Sequence, residues 1–403
     1  MIKTIDKKIK EKMQIVIERF DAPFFFYDLD GLKAHLESMA KNLDPDIKLW
    51  YACKANPMSA VLKVLRNLGF GIDVASAGEL HQVLNTGVDP KDILATGPGK
   101  SKKYIEHLVD SGVSTIVLES LNQAYWANEI ASEKSISIDC LLRVQLDWED
   151  GKSVLGGDDI TPFGISSKEW QGIDKNRIDK LNIRGFHVFQ WGNILEVDRL
   201  EIIWRKTIEE VQILSKQMNI KVEVLDLGGG LGIPYTFEEE SINFKEVHDL
   251  LVKLKNEYKL NKIWMELGRF TVGNHGYYLT KVIDRKVSRK RDILVCDGGI
   301  NHIARVALVD QHFPAKALIN DNPKTKNFYV HGPLCTALDC LGNFDFPEDI
   351  DTGDWLVFHQ AGAYGFTESM PFFLCHMLPG EVVYYNGDLM IPRPPKTSYD
   401  WMI

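Results

Sequence analysis

The 403 residues suffice for one large domain and a smaller one, and 45% hydrophobic with 26% charged residues is an ordinary globular composition. Acidic residues outnumber basic ones by 56 to 47, and the net charge of −9 argues against a nucleic-acid-binding surface. No run is apolar enough for a signal peptide or a membrane span. The six cysteines are scattered, and HExxH and P-loop motifs are absent, so we predict a cytoplasmic chain with reduced thiols and no metal.

Short apolar runs alternate with amphipathic stretches between residues 46 and 266. The runs that predict strands are IKLWYAC, FGIDVAS, DILAT, STIVLE, IDCLLRVQL, IRGFHVF, VEVLDL and KIWMEL. Such alternation is typical of parallel strands joined by crossover helices. Eight units over about 220 residues predict an α/β fold with a (β/α)8 barrel of the TIM type. A doubly wound open sheet is the alternative.

The pattern changes after about residue 280. The runs YYLTKVIDRKV, DILVCDGG, NFYVHGPL, DWLVFHQAGAY and VVYYNGD are strand-like and separated by glycine and proline, which predicts an antiparallel β domain. PFFFYDL, residues 23–29, precedes the barrel and is predicted as another strand of this domain. We therefore expect a barrel over 31–280 and a β domain over 1–30 and 281–403.

Polar and glycine-rich segments follow the predicted barrel strands. Because barrel active sites form at the carboxyl ends of the strands, these segments are expected to converge. They are Lys54, Asp73, Ser76, TGPGKS, Arg143, HVFQWGN, DLGGGLGIPY and ELGR.

Lys54 ends an apolar strand immediately before a proline-marked stop, in LWYACKANP. One interpretation is a lysine whose stem covers apolar surface while its ammonium reaches water. The other is a catalytic amine that forms a Schiff base with a carbonyl cofactor. The convergence of the other segments favours the second interpretation.

The stretch LGGGLGIPY follows the seventh strand, where barrels commonly bind phosphate. Its glycines, Gly228, Gly229 and Gly230, leave backbone N–H groups open to an anion, although a tight turn would need glycines too. Arg269 could add a charged donor to the same phosphate. Glu266 ends the eighth strand in a buried position and needs a partner there, either a pyridinium nitrogen or a structural salt bridge.

A lysine, a phosphate cradle and a carboxylate for a ring nitrogen are together what pyridoxal 5'-phosphate requires. The later region adds Cys335, in HGPLCTALDCLG, and Tyr364, in GAYGF. Cys335 is interpreted either as a buried thiol or as a proton donor to the substrate's α-carbon. Tyr364 offers a phenol as a further donor.

Together these motifs resemble the fold-type III pyridoxal-phosphate decarboxylases, the family of ornithine and diaminopimelate decarboxylases. The resemblance covers nearly the whole chain and keeps the order of YACKAN, GIDVASAGEL, GPGKS, FHVF, LGGGLGIPY, ELGRF, GPLCTALDCLG and GDWLVFHQAGAYG. It implies a homodimer in which the barrel of one subunit and the β domain of the other share each active site.

The resemblance also implies roles for individual residues. Lys54 looks like the Schiff-base lysine, and Cys335 looks like the catalytic thiol supplied by the other subunit. Glu266 looks like the partner of the pyridine nitrogen. The cofactor-binding residues that it implies, besides Lys54 and Glu266, are Asp73, Arg143, Gly228, Gly229, Gly230, Gly268, Arg269 and Tyr364.

Several positions depart from the family pattern. Relatives have H-x-H-I-G-S, whose second histidine stacks on the cofactor ring; here His187 is kept as a catalytic candidate, while Phe189 takes the stacking position. Thr336 stands where relatives that form diamines have an acid, so a free distal ammonium would lack a partner. Asp339 is predicted to reach the substrate in compensation. The segment 147–164, with Pro162 where relatives tend to have lysine, is expected to cover the pocket.

These observations predict α-decarboxylation of an L-amino acid tethered to a carrier protein, a siderophore precursor or a peptide conjugate, as in the natural-product branch of the family. The alternatives are a decarboxylase of free diaminopimelate, ornithine or lysine, a racemase on the same barrel, and a catalytically silent binding protein. No nucleic acid or membrane is expected as a partner.

Overall fold

The structure is a computed structural model that describes residues 5–148, 152–153, 156–157, 160–318 and 324–401. The chain divides into two compact units. One, the barrel unit, comprises Leu36–Gly232 and Ile242–Gly268. The other, the β unit, comprises the residues up to His35, the segment Ile233–Ser241 and the residues from Arg269 onward.

Helices and strands alternate along the first two thirds of the chain. In order, they are α1 Lys7–Ile17, β1 Phe24–Asp28, α2 Leu29–Ala40, β2 Ile47–Ala52, α3 Ser59–Asn67, β3 Gly71–Val74, α4 Ala77–Asn85, β4 Ile93–Ala95, α5 Lys102–Asp110, β5 Thr115–Leu118, α6 Leu121–Glu133, β6 Ile138–Gln145, β7 Lys152–Ser153, β8 Gly156–Gly157, β9 Ile165–Ser166, α7 Ser167–Gln171, β10 Leu181–His187, α8 Val197–Met218, β11 Val224–Asp226, α9 Phe244–Tyr258 and β12 Lys262–Leu267.

Strands dominate the remainder. They are β13 Gly276–Ser288, β14 Arg291–Cys296, β15 Ala315–Ala317, β16 Thr325–His331, β17 Cys340–Pro347, β18 Trp355–Phe358, β19 Gly380–Tyr385 and β20 Asp388–Arg393, with the short helices α10 Arg269–Val272 and α11 Arg305–Val309 among them.

The barrel unit is a closed parallel barrel. Its strands follow the order β10-β11-β12-β2-β3-β4-β5-β6, and β6 also pairs with β10, which closes the sheet on itself. This closure confirms the predicted (β/α)8 barrel and rules out the open-sheet alternative. Seven of the eight apolar runs in the sequence contain one of these strands, and the eighth, IRGFHVF, overlaps β10, which begins two residues before it.

Every second side chain of a barrel strand points into the barrel, because successive residues of a strand point to opposite faces. A lower layer of Trp50, Leu94, Val117, Leu141, Val224 and Trp264 forms an apolar core, with the two indole rings 4.9 Å apart. Two residues further along three of these strands lie Arg143, Asp226 and Glu266. The packed lower layer therefore supports a polar upper layer at the carboxyl ends of the strands.

Serine side chains start the helices that follow three of the barrel strands. Ser76, Ser101 and Ser120 each accept a hydrogen bond from a backbone N–H in the first turn of α4, α5 and α6. An N-cap of this kind satisfies one of the donors that a helix start leaves unpaired. Ser76, one of the predicted rim residues, therefore has a structural task.

The β unit is built on a mixed sheet, most of whose pairings are antiparallel. The order is β17-β16-β14-β13-β1-β19-β20, with β18 pairing both β13 and β15. Strand β1 lies between β13 and β19, which confirms that PFFFYDL contributes a strand to this sheet. This sheet confirms the predicted antiparallel β domain, and the two pairs β1–β19 and β14–β16 are parallel exceptions within it.

The segment Ile233–Ser241 belongs to the β unit although it lies inside the predicted barrel range. Its Pro234 carbonyl accepts a hydrogen bond from Gln360 Nε2 at 2.9 Å, and the Tyr235 ring packs edge-on against Phe313. These contacts hold the segment in the β unit directly after the glycine-rich stretch ends. Among the helices that the structure describes, none is both long and apolar enough to cross a membrane.

Candidate active site

Lys54 lies in a short 3-10 turn, Cys53–Ala55, directly after β2. Its side chain is exposed, and its Nζ atom lies 5.9 Å from the centre of the Phe189 ring. The Lys54 charge also favours the ionised forms of Asp73, Glu79 and Glu266 and so acts to lower their pKa values. The amine is therefore held among carboxyl groups at the carboxyl-end rim of the barrel.

Glu266 and His187 form a fully buried pair on β12 and β10. His187 Nε2 lies 3.3 Å from Glu266 Oε1. Burial by itself would raise the pKa of Glu266, but His187, Lys54 and Arg143 outweigh it and lower that pKa to about 2. Burial lowers the pKa of His187 in turn. We therefore expect an ionised Glu266 beside a neutral imidazole at neutral pH.

Two further carboxyl groups, Asp226 and Asp73, lie nearby and are also fully buried. Burial and the charge of Glu266 raise the pKa of both, so each retains its proton more readily than an ordinary aspartate. Asp226 Oδ1 accepts a hydrogen bond from Gly228 N at 2.9 Å, and Asp73 Oδ1 accepts one from Thr96 Oγ1 at 2.7 Å. Asp226 thus ties the glycine-rich stretch to the end of β11.

The glycine bend, Gly228–Gly230, begins two residues after β11. A Cβ atom at Gly229 would lie 2.1 Å from the Glu266 carbonyl oxygen, and one at Gly228 would lie 2.4 Å from Phe189 Cβ. Only glycine permits this close approach of three chain segments. Among the described residues, none accepts a hydrogen bond from the N–H groups of Gly229 and Gly230, so these two donors are available to an anion.

Arg143 lies at the end of β6, and its guanidinium is committed on both sides. Nη1 is 3.2 Å from Glu119 Oε1 and 3.3 Å from Glu119 Oε2, while Nη2 donates to the Phe189 carbonyl oxygen at 3.3 Å. The guanidinium carbon also lies 4.5 Å from the centre of the Phe163 ring. Arg143 is therefore placed next to the predicted site, and its cofactor contact stays a prediction.

Gln190 follows Phe189 and ties two strand ends together. Its side-chain amide accepts from Leu146 N at 2.7 Å and donates to Leu146 O at 2.8 Å. These two bonds continue the β6–β10 pairing beyond its last backbone pair, His187 with Arg143. Part of the segment 147–164, which the sequence predicts to cover the pocket, lies outside the described residues.

In the β unit, Arg269 and Arg305 flank Tyr364. Their guanidinium carbons lie 5.2 Å and 4.7 Å from the centre of the Tyr364 ring. Both arginines donate to Gln311 Oε1, at 2.9 Å and 3.0 Å. Arg269 also donates to the Tyr235 hydroxyl at 3.2 Å. Arg305 Nη1 also forms an ion pair with Glu368 Oε2 at 2.5 Å. The predicted phosphate contact of Arg269 and Tyr364 stays a prediction.

Cys335 lies in an exposed turn of the β unit that Asp339 stabilises. Asp339 is 1% exposed, and its two carboxylate oxygens accept from Ile300 N at 2.8 Å and Leu334 N at 2.7 Å. The Thr336 hydroxyl accepts from Leu338 N at 3.2 Å. Because both Asp339 oxygens have backbone partners, the structure favours a role in holding the turn over the predicted contact with substrate.

A family model described as the pyridoxal binding domain of pyridoxal-dependent decarboxylases matches residues 29–273, more than half of the chain. The chain belongs to the pyridoxal-dependent decarboxylases. It is thus a pyridoxal-phosphate-dependent enzyme of the amino-acid decarboxylase family, as the sequence motifs predict.

Named relatives of this decarboxylase differ in substrate. The L-glutamyl-[BtrI acyl-carrier protein] decarboxylase of Niallia circulans is 27% identical, over 95% of this chain and 93% of its own length. The 2-[(L-alanin-3-ylcarbamoyl)methyl]-2-hydroxybutanedioate decarboxylase of Staphylococcus aureus is 29% identical, over 92% and 97%. The diaminopimelate decarboxylase of Methanothermobacter thermautotrophicus is 30% identical, over 88% and 83%.

Solved structures agree with the fold of the decarboxylase. The crystal structure of an Aquifex aeolicus protein has a TM-score of 0.85 at 26% identity, covering 96% of this chain and 92% of that one. The Helicobacter pylori diaminopimelate decarboxylase complexed with L-lysine has a TM-score of 0.86 at 22% identity, covering 96% and 98%. The relatives named above are decarboxylases, which agrees with the predicted class of enzyme.

The described residues of the decarboxylase fit pyridoxal phosphate. Among the buried polar atoms that the structure describes, His187 Nδ1 has no hydrogen-bond partner, and Glu266 Oε1 has only its ion-pair contact of 3.3 Å with His187 Nε2. Buried polar atoms of this kind are expected to find partners. A protonated pyridine nitrogen suits Glu266, and a phosphate suits the unpaired N–H groups of the glycine bend.

Sequence reasoning missed four residues that contact predicted site residues or lie near them. In the barrel unit these are Glu119, Lys100 and Gln190. In the β unit Arg305 lies beside Tyr364. GPGKS and HVFQWGN stand out as segments in the sequence, but nothing in them assigns a role to Lys100 or Gln190. Glu119 is the last residue of the STIVLE run and Glu266 is the last but one of KIWMEL, so the same argument about a buried carboxylate would have found Glu119. No sequence pattern marks Arg305.

Proposed function

We propose that this decarboxylase removes the α-carboxylate, as carbon dioxide, from an L-amino acid tethered to a carrier protein, a siderophore precursor or a peptide conjugate. The bond from Cα to the carboxylate carbon breaks, and a proton takes its place on Cα. Pyridoxal phosphate, when bound, supplies an electron sink for the electron pair that the departing carbon dioxide leaves behind.

Residues at the barrel rim would hold the cofactor. The Lys54 amine is the group for the aldehyde, the Glu266 carboxylate accepts the ring N–H, and the glycine bend binds the phosphate. Cys335 Sγ returns the proton to Cα. Phe189, beside the Lys54 amine, is the proposed stacking residue, and His187 positions Glu266 from 3.3 Å away.

The main support for a tethered substrate is the neutral residue that follows Cys335. Thr336 has no charge, and its hydroxyl already accepts a hydrogen bond from Leu338 N. A free distal ammonium left without a partner in a dry pocket would lose several kcal/mol. A substrate whose side chain ends in an amide, an ester or a thioester avoids this penalty. The names of the relatives from Niallia circulans and Staphylococcus aureus describe substrates of this kind, an amino acid joined to a carrier protein and an amide conjugate.

A free diamino acid is the second candidate, because diaminopimelate decarboxylases are 29% and 30% identical to this chain. A panel that measures carbon dioxide release separates the two. It contains diaminopimelate, ornithine, lysine, a glutamyl thioester on a carrier protein, and an amide conjugate of 2,3-diaminopropionate. We expect kcat/KM at least about tenfold higher for a tethered member than for any free amino acid. Preference for a free diamino acid would refute the tethered substrate.

Thr336→Asp tests the structural reason behind this preference. The new carboxylate is expected to raise kcat/KM for diaminopimelate by about tenfold and to lower it for the tethered substrate. Thr352→Asp is the matched control, because Thr352 lies in an exposed turn of the same unit. Equal effects of the two substitutions would contradict a role for position 336 in substrate choice.

We also propose that two copies of the chain assemble, so that Cys335 of one serves the barrel of the other. Cys335 is exposed, as is Leu338 in the same turn. Five large apolar side chains after Tyr364 are 38% to 45% exposed: Met370, Phe372, Phe373, Leu374 and Met377. An exposed apolar group of this size is typical of a surface that a partner covers.

Mixing two inactive variants tests this assembly. Lys54→Ala and Cys335→Ala are each expected to be inactive. When equal amounts reassociate at random, half of the dimers contain one copy of each variant, and one of the two sites in such a dimer is intact. The mixture should therefore recover about a quarter of the wild-type activity. No recovery, combined with a dimeric mass by light scattering, would place Cys335 in the site of its own chain.

The cytoplasm is the proposed location. All six cysteines lie within the described residues, none is in a disulfide, and Cys335 and Cys375 are exposed. Exposed thiols remain reduced in a compartment of that kind. Fractionation of cells that produce the protein at its natural level tests this location.

A further inference from the structure

The buried carboxylate of Glu119 joins three segments of the barrel unit. It follows the last residue of β5, and its side chain is 1% exposed. Its oxygens receive Arg143 Nη1 at 3.2 Å and 3.3 Å, and Gly164 N–H at 3.1 Å. Lys100 Nζ lies 3.6 Å away. One carboxylate thereby connects the loop after β4, the end of β6 and the segment before β9.

Charges buried to this degree contribute little to stability by themselves. Removing ions from water is unfavourable by several kcal/mol each, and apolar side chains of similar volume often serve the fold as well. The environment lowers the pKa of Lys100 to about 8, mainly through burial, which reflects this penalty. Such a group does offer fixed geometry, because each charge limits where the others can lie.

The second arm of Arg143 carries this geometry to Phe189. While Nη1 is held by Glu119, Nη2 donates to the Phe189 carbonyl oxygen at 3.3 Å. The planar guanidinium makes both contacts in one orientation, which a lysine ammonium could not do. The position of Phe189 is thus coupled to Glu119 through one rigid side chain.

Phe189 contacts both ends of the predicted cofactor site. A Cβ atom added at Gly228 would lie 2.4 Å from Phe189 Cβ, and one added at Gly229 would lie 3.9 Å from Phe189 Cζ. The centre of its ring is 5.9 Å from Lys54 Nζ. A shift of Phe189 would therefore disturb the glycine bend and the surroundings of the amine together.

We propose that Glu119 is a positioning residue that, through Arg143, holds Phe189 between Lys54 and the glycine bend. Glu119 touches neither the amine nor the bend in this arrangement. It acts on cofactor binding through the orientation of Arg143. The functional part of this inference rests on the proposed roles of Lys54 and the glycine bend, whereas the structural part concerns the chain alone.

Hydrogen exchange of the cofactor-free protein tests the structural part. Glu119→Gln keeps the side-chain shape but removes the charge that orients Arg143. We expect exchange about tenfold faster in peptides that span 186–191 and 227–232, because local opening there becomes easier. Glu129→Gln is the matched control, since Glu129 makes an exposed ion pair with Lys102 at 2.8 Å. Unchanged exchange in both peptides would overturn the proposal, whatever the cofactor does.

A titration with pyridoxal phosphate, followed by absorbance, tests the functional part. Glu119→Gln should raise the dissociation constant about tenfold, and Glu129→Gln should leave it unchanged. In a Phe189→Leu background the same Glu119→Gln change should have less than about a twofold effect, because its route of action is gone. Equal effects in both backgrounds would show that Glu119 acts by another route.

Arg143→Lys serves as a second variant in case Glu119→Gln does not fold. It keeps a cation beside Glu119 but loses the second N–H arm, so it should reproduce the faster exchange and the weaker cofactor binding. Normal exchange in Arg143→Lys would also overturn the proposal. If the variants exchange faster but the wild-type protein binds no pyridoxal phosphate, the cofactor site is refuted and the positioning role of Glu119 remains.

Discussion

The glycine bend offers a sharp test of the phosphate site, because one added methyl group has a known collision partner. In Gly229→Ala the new Cβ would lie 2.1 Å from the Glu266 carbonyl oxygen, whereas real Cβ atoms essentially never come within 3.0 Å of a heavy atom outside their own residue and its chain neighbours. The bend and β12 must therefore separate by about 1 Å, since close-packed interiors offer no other relief. That displacement moves the unpaired N–H groups of Gly229 and Gly230 away from the anion they would bind.

Overpacking of this kind typically destabilises a protein by about 1–3 kcal/mol. We expect a comparable loss in phosphate binding, which corresponds to a dissociation constant for pyridoxal phosphate about 10 to 100 times higher. Gly99→Ala is the matched control, because a Cβ at Gly99 meets nothing within 4 Å. The assay is an absorbance titration of each variant with pyridoxal phosphate and, separately, with pyridoxal.

Pyridoxal lacks the phosphate, so its affinity should change much less in Gly229→Ala than that of pyridoxal phosphate. Tight binding of pyridoxal phosphate by this variant would refute the argument that the bend holds the phosphate. An equal loss for both compounds would show that the substitution acts through Glu266 instead.

Two further predictions concern lysines. Lys54→Ala should abolish both the visible absorbance of lysine-bound cofactor and the release of carbon dioxide. The control Lys63→Ala, on the exposed side of α3, should change neither. Retained absorbance and turnover in Lys54→Ala would disprove the role of Lys54. Burial lowers the pKa of Lys100 to about 8, so the unfolded chain binds more protons than the folded chain between about pH 8 and 10. The free energy of unfolding should therefore rise with pH in this window, by up to about 3 kcal/mol. Urea unfolding should show this rise in the wild type and in the exposed-site control Lys102→Met but not in Lys100→Met, and an unchanged rise in Lys100→Met would contradict the assignment.

The sequence by itself determined the architecture and the main chemical groups of the site. Parallel strands buried on both faces are continuous apolar runs, so the eight barrel strands and their order of appearance could be predicted from LWYAC to KIWMEL. The carboxyl ends of such strands meet at one rim, which is why the positions of Lys54, Glu266 and the glycine bend at strand ends suffice to predict that they lie together.

Tertiary structure alone decided which partners these groups have. Glu119 lies 24 residues before Arg143 along the chain, and Gln190 lies 44 residues after Leu146, yet each pair makes direct hydrogen bonds. Similarly, Asp339 holds a backbone turn with Ile300, a partner 39 residues away, where the sequence predicted a contact with substrate. Local pattern records which face a side chain occupies, but the choice of partner depends on barrel closure and strand register, which bring distant residues within hydrogen-bond distance.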